Sequence, residues 1–187
     1  MRAVPTGYSV RRAWAADLPA LPAVERAANG RFAPGTLGAL GEDAVLGLDV
    51  HRQALTDGWL WVAESPRGDP VGFALAMAQS PLAFLAEVDV LPDHGRRGLG
   101  RALVQAVVSA ARQRGFARLA LTTFAQLPFN APMYERLGFA RCPLDQLPPT
   151  LAAVLLAEAD QGLQGRVAMV MDLQTDVRLP QLNKDAA

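Results

Sequence analysis

Cysteine is almost missing from this 187-residue chain. Cys142 stands alone, which excludes an intramolecular disulfide and any cysteine-built metal cluster. Its simplest reading is a small apolar filler beside Pro143, since no histidine lies near it to activate a thiolate. A charge surplus of either sign is missing too: 18 Lys and Arg balance 18 Asp and Glu, so nothing draws the protein toward a polyanion. DNA, RNA and anionic membrane surfaces are therefore poor partners. Long hydrophobic runs are absent, the longest, such as "PLAFLAEV", being broken by a charge well short of the ~20 residues that span a bilayer. The first residues, "MRAVPTGYSVRRAWAADL", offer no apolar segment ahead of a small-residue cleavage site, and a cytoplasmic location is the default expectation.

What the chain does have is apolar content, 51% of residues, enough for one sizeable core. No internal repeat and no linker divides it, so residues 1–173 read as one domain and 174–187 as a flexible tail. "YSVRRA" has a short strand pattern. Leu18, Leu21, Val24 and Ala28 then recur at helical steps behind Asp17, an expected N-cap. A Gly/Pro-rich loop (33–43) and a less regular helix (44–58) follow. Residues 59–65, 71–80 and 83–91 read as three strands with short connections, hence antiparallel. The best helix runs from Leu99 through Leu103, Ala106, Val107 and Ala110 to Gly115. Beyond it come a strand (117–124), a short helix (131–138), a short strand (139–142), a helix (148–162) and a last strand (166–173).

The stretch "VLPDHGRRGLGRAL" (90–103) places a proline and three glycines between a strand and that best helix. Glycine lets a backbone approach an anion, the first N–H groups of a helix lack internal partners, and its dipole favours negative charge. An ordinary glycine-rich helix start explains the loop alone equally well. A dinucleotide fingerprint needs a different glycine spacing and an acid about 20 residues on, and a phosphate-binding Walker loop needs Gly-Lys-Ser/Thr. Neither is present.

The combination of "EVDVLPDHGRRGLGRAL" with "LALTTFAQLPFNAPMYERLGF" resembles the core of the GNAT family, the Gcn5-related N-acetyltransferases. The resemblance covers residues 85–139 closely and the element order to Leu173. It implies an α/β GNAT fold: a central mixed, largely antiparallel sheet of six or seven strands with helices on both faces. By resemblance, the backbone of Arg96, Arg97, Gly98, Leu99, Gly100 and Arg101 would wrap the pyrophosphate of acetyl-CoA, and groups near Val90 and Leu91 would pair with its pantetheine arm. The family pattern often begins Gln/Arg-x-x-Gly, whereas Gly95 stands first here.

On the strand ahead of the cradle, Glu87 and Asp89 alternate with Val88 and Val90, so two carboxylates share one face about 7 Å apart. Burial and mutual repulsion should raise one pKa toward that of a general base. The resemblance favours Glu87; Asp89 and His94 remain alternatives. His51 reads as structural. Tyr134 matches the family tyrosine that protonates the departing thiolate. Asn130, one helical turn earlier, would face the same cleft or cap its helix. Candidate acceptor-lining residues are Arg31, Phe32, Phe124, Gln126 and Phe129. The activity implied is direct acetyl transfer from acetyl-CoA to the primary amine of a small molecule or amino-acid-like metabolite, with no acyl-enzyme and no metal. Acetylation of a protein N-terminus or lysine, and a non-catalytic acyl-CoA-binding module, stand as alternatives, and a homodimer is left open.

Overall fold

The computed structural model describes residues 4–41 and 44–174; the predicted tail, Gln174 excepted, lies outside them. In chain order the elements are β1 (Ser9–Arg12), α1 (Leu21–Asn29), α2 (Leu48–Thr56), β2 (Leu60–Glu64), β3 (Pro70–Gln79), β4 (Leu82–Val90), α3 (Leu99–Gln113), β5 (Arg118–Phe124), α4 (Ala131–Glu135), β6 (Ala140–Arg141), α5 (Pro149–Asp160) and β7 (Arg166–Asp172). They build one seven-stranded sheet in the order β1-β2-β3-β4-β5-β7-β6. All neighbours are antiparallel except β4 and β5.

Two local expectations change. A 3-10 turn at Ala15–Ala20, containing Pro19, precedes α1, and Pro22 sits in the first turn of α1. Asp17 lies inside that 3-10 turn and is not the N-cap of α1; its carboxylate accepts the Trp14 N–H at 2.7 Å and pairs with Arg11 at 2.8 Å. The second helix is shorter than its sequence pattern, starting at Leu48 behind Gly47.

The sheet has two covered faces. On one, α3 buries Leu99, Leu103, Val104, Val107 and Val108 against Trp61, Ala74, Ala83 and Leu85, and α4 adds Ala131 and Tyr134. On the other, α1 and the preceding turn bring Leu18, Leu21 and Val24 onto Leu60, Val62, Phe73 and Leu75. Leu151 of α5 packs on Leu82, Phe84, Ala120 and Ala168. Ala86 touches both of the latter clusters, so α1 and α5 share a face. Truncating a fully buried leucine such as Leu103 to alanine should cost about 2–5 kcal/mol.

Two irregularities in β4 shape the rest of the molecule. Leu75 of β3 pairs with Glu87 and Ala76 with Leu85, so Ala86 is an extra residue, a β-bulge. Side-chain alternation inverts across it. Ala83 and Leu85 face α3 before the bulge; Val88 and Val90 face α3 after it, and Glu87 and Asp89 turn toward α1. The second irregularity is divergence. β4 and β5 pair only where Ala83 meets Leu119 and Phe84 meets Ala120, although β4 stays paired with β3 to Val90 and β5 with β7 to Phe124. A wedge therefore opens between the carboxyl ends of the two central strands.

Candidate active site

The wedge is the floor of a cavity of about 370 Å³ lined by residues 85–90 of β4, 121–124 of β5, Gly100 of α3, Asn130 and Tyr134, and on the far side by α1, the loop after it and the turn from α5 into β7. It passes through the plane of the sheet and so gathers groups from both faces.

At the α3 end, Gly98 precedes the helix with φ +82° and Arg96 has φ +56°, both in the left-handed region. This backbone path leaves the N–H groups of residues 96–101 without a hydrogen bond to any other described backbone group, whereas Ala102 already donates to Gly98 at 3.0 Å. A Cβ placed on Gly98 would meet nothing within 4 Å, so no other part of the fold crowds the loop at this residue. Arg96, Arg97 and Arg101 are exposed around it. The arrangement is a cradle of backbone donors at the positive end of a four-turn helix, suited to a phosphate or pyrophosphate.

The expected backbone contacts nearby are partly taken within the chain. The Leu91 N–H donates to Val71 at 2.9 Å, and its carbonyl accepts from His94 at 2.9 Å and keeps its second lone pair. The Val90 carbonyl accepts Arg31 Nη2 at 3.0 Å and keeps its second lone pair. In the antiparallel register of β3 and β4, Gly72 and Val90 form a non-hydrogen-bonded pair, which turns the Val90 N–H and C=O toward the wedge.

The carboxylates occupy the α1 side. Asp89 is 8% exposed, and its Oδ2 has no partner. Burial, with the charges of Glu87 and Glu25, raises its pKa well above the usual range; Arg31 opposes them. The half-buried Glu87 is also raised by burial and by Glu158, against the Arg166 guanidinium and the Val88 N–H. Glu25 joins them from α1. It is 4% exposed, its Oε1 accepts the Leu46 N–H at 2.9 Å, its Oε2 has no partner, and burial beside Glu87 pushes its pKa up to about 7. The sequence carried a signal for Glu25: it falls within the apolar stripe of Leu21, Val24 and Ala28, where a charge is costly to bury. Glu158 and Arg166, also unforeseen, form a bidentate pair at 2.7 and 3.0 Å, braced by Thr122, which donates to Glu158 at 2.6 Å.

Tyr134 reaches the cavity from the α3 face. Its ring packs edge-on against Phe139 at 5.6 Å, and its hydroxyl has no hydrogen-bond partner among the described residues. Burial and the charges of Glu87 and Asp89 raise its pKa above that of a free phenol. Asn130 stands at the N-cap position of α4 without capping it; its amide donates to Thr123 at 2.8 Å, tying the helix start to β5, and its Oδ1 is buried without a partner. Of the expected acceptor-lining residues, Arg31, Phe32, Phe124 and Phe129 line the cavity, with Phe32 5.5 Å from Phe124 and 5.6 Å from Phe129. Gln126 is exposed and lines no part of it. His94 is half-buried, bonded to the Tyr8 hydroxyl at 2.9 Å, and lies outside the cavity lining. His51 is buried, bonded to the Gly47 carbonyl at 3.1 Å. Among the described residues no three His, Cys, Asp or Glu side chains are grouped to hold a metal ion, and no helix is long and apolar enough to cross a membrane.

The loop after α1 closes the far side. Gly38 presses on the turn after α5 so tightly that a Cβ there would lie 2.5 Å from the Gln161 carbonyl oxygen, and the Ala39 N–H donates to the same carbonyl at 2.8 Å.

Residues 36–139 match the family model described as the acetyltransferase (GNAT) family. Among curated proteins, the streptothricin acetyltransferase of Streptomyces lavendulae is 34% identical over 113 residues, 58% of this chain and 55% of that protein. The [ribosomal protein bS18]-alanine N-acetyltransferase of Escherichia coli K12 is 36% identical over 72 residues, 38% of this chain and 49% of that protein. The chain thus spans about half the length of the curated relatives it matches. Among solved structures, the N-acetylglutamate synthase from Neisseria gonorrhoeae, complexed with coenzyme A and N-acetyl-glutamate, superimposes with a TM-score of 0.68 at 18% identity, covering 89% of this chain and 35% of that one. The ribosomal-protein-S18-alanine N-acetyltransferase from Escherichia coli gives 0.63 at 21% identity, covering 91% and 97%. These likenesses establish the fold.

Proposed function

The chain belongs to the GNAT acetyltransferase family, and from that premise we propose that it moves an acetyl group from acetyl-CoA directly to the primary amine of a small molecule. One observation carries the reading: the β4–β5 wedge holds buried carboxylates and is bordered by Gly100, the fifth of the six residues whose backbone N–H groups are left free at the start of α3. The residues present fit coenzyme A. Residues 96–101 would hold its pyrophosphate, and the Val90 backbone, turned toward the wedge, would pair with the pantetheine arm as an added strand. Acetyl-CoA supplies the activated thioester.

Glu87 is the proposed base. Its raised pKa brings it toward that of an ammonium group held nearby, so it can take the acceptor's proton and free the nitrogen lone pair. Tyr134 is the proposed acid. Its pKa is raised in part by the negative charge on Glu87, and that repulsion vanishes once Glu87 has accepted a proton. The phenol therefore becomes a stronger acid at the moment the sulfur needs its proton. Proton uptake on one face of the sheet is coupled to proton delivery from the other.

A small acceptor is favoured over a protein chain because Leu37, Leu40 and residues 44–46 line the far side of the cavity and Ala39 is seated on Gln161. The test is release of free thiol from acetyl-CoA with a panel of small amines beside N-terminal and lysine peptides. Turnover confined to small amines supports the proposal. Turnover only with peptides replaces the acceptor class, and coenzyme A binding without any turnover leaves an acyl-CoA-binding module.

A further inference from the structure

Direct transfer needs one carboxylate, yet four line this cavity: Glu25, Glu87, Asp89 and Glu158. Glu158 is neutralised by Arg166. The other guanidinium in the lining, that of Arg31, is bonded to the Val90 carbonyl. Once Glu87 is assigned as base, Glu25 and Asp89 remain, each more than nine-tenths buried and each with a carboxylate oxygen that has no partner. A buried carboxylate oxygen left unpaired is expensive, and two beside each other repel as well. Such a pair is retained where an incoming group supplies the missing donors and positive charge. An ammonium does both.

Resting on the transfer reaction above, we propose that Glu25 and Asp89 form a subsite for a second ammonium group on the acceptor, so that the acceptor is a small aliphatic diamine. Phe32, Phe124 and Phe129 supply an apolar wall for the methylene spacer between the two nitrogens. The bond accounting is that of a monoamine: one nitrogen gives its proton to Glu87 and bonds the acetyl carbon, the carbon–sulfur bond breaks, and the sulfur takes the Tyr134 proton. The second ammonium stays charged. The overall neutrality of the chain conceals this acidity, since cations elsewhere on the surface balance it.

Proton linkage adds a second readout. Glu25 is faced by Glu87 and Asp89 from β4 and by Arg26 on its own helix, Asp89 is faced by Arg31, and Glu87 by Arg166 and Glu158. Because Glu25 titrates at about 7, a dication binding at neutral pH displaces protons from the cluster.

The experiment is calorimetric titration of the coenzyme A-saturated full chain with diaminoalkanes of two to six carbons and with the matching monoamines, in two buffers of different ionisation enthalpy. The best diamine should bind at least tenfold more tightly than its monoamine and release protons. Glu25→Gln and, separately, Asp89→Asn should bring the diamine to within about threefold of the monoamine, and Glu25→Gln should diminish the proton release. Both variants should keep the coenzyme A thermal shift, which reports that they are folded. Equal affinity for diamine and monoamine, unchanged preference in both variants, or no binding by any diamine overturns the subsite. Thiol release in the same samples separates the two ideas: selective diamine binding without turnover sinks the transfer reaction and leaves the subsite, whereas turnover with monoamines as good as diamines does the reverse.

Discussion

The two ends of the cavity are built from different materials. The α3 end is backbone: six consecutive N–H groups from one contiguous segment, held outward by two left-handed residues, with arginine side chains in solvent around them. The α1 end is side chain: Glu25, Glu87, Asp89, Glu158 and Arg166 arrive from four different elements, with Glu25 and Asp89 buried and the other three half-buried. A backbone cradle tolerates most substitutions in its own side chains but not a change of backbone path. A cluster of buried charges behaves oppositely, since its pKa values depend on every neighbour.

The sharpest way to break this comparison is to strike each end and ask whether the other responds. Glu87→Gln should lower kcat by about two to three decades and flatten the acidic limb of the pH–rate profile, while the coenzyme A thermal shift stays intact. Retention of full rate with the same limb would move the base to Asp89. Gly98→Val should do the reverse. Coenzyme A at 100 times its Kd should stabilise the wild type by about 2.7 kcal/mol, roughly 5–10 °C in Tm. Valine at φ +82° is strained and would force the backbone out of the path that leaves the donors free, so most of the shift should disappear. A folded Gly98→Val protein with the full shift would defeat the cradle.

Tyr134 joins the two ends, and Tyr134→Phe should reduce kcat by one to two decades with little change in coenzyme A affinity; an unchanged kcat removes its role as acid. Glu25 provides a smaller effect, read in stability alone. Its pKa rises from 4.5 in a free side chain to about 7 in the fold, so the folded state holds more protons than the unfolded state between those values. The stabilisation is full below about pH 4.5 and is lost as pH rises through about 7. Relative to wild type, Glu25→Gln should therefore gain stability between pH 4.5 and pH 8, by about 2–3 kcal/mol, measured by denaturant titration at both pH values. A constant difference between the two proteins would show that Glu25 is not perturbed. The smallest effect is expected from Arg112→Ala, on an exposed stretch of α3 more than three turns from the cradle, which should leave the coenzyme A shift unchanged.

Much of the architecture was legible in the residues. The apolar spacing of α3, the alternation of β7 and the order of strands and helices all survive in the structure, because period and turn chemistry are local. The cradle was legible for the same reason: "GRRGLG" is contiguous, and glycines at a strand-to-helix junction constrain the backbone whatever surrounds them. Glu87 and Asp89 were correctly placed on one face of β4. Glu158 and Arg166 were not anticipated, since nothing local marks two oppositely charged residues eight apart as one pair on a cavity wall. Nothing local to His94 marks its bond to Tyr8, which lies 86 residues away.

By itself, then, the sequence determined the elements, their order, the family likeness and the phosphate-suited loop, each of which depends on residues within a turn or two of one another. Which face of the sheet the two β4 carboxylates occupy was decided only in three dimensions. Without the bulge at Ala86 they would continue the alternation of Ala83 and Leu85 and lie beneath α3; one extra residue opposite β3 turns them toward α1. There they meet Glu25, more than 60 residues away in the chain, and their shared burial sets the pKa values the chemistry would use. Register and desolvation arise from pairing and packing between distant segments, and no local pattern of residues records them.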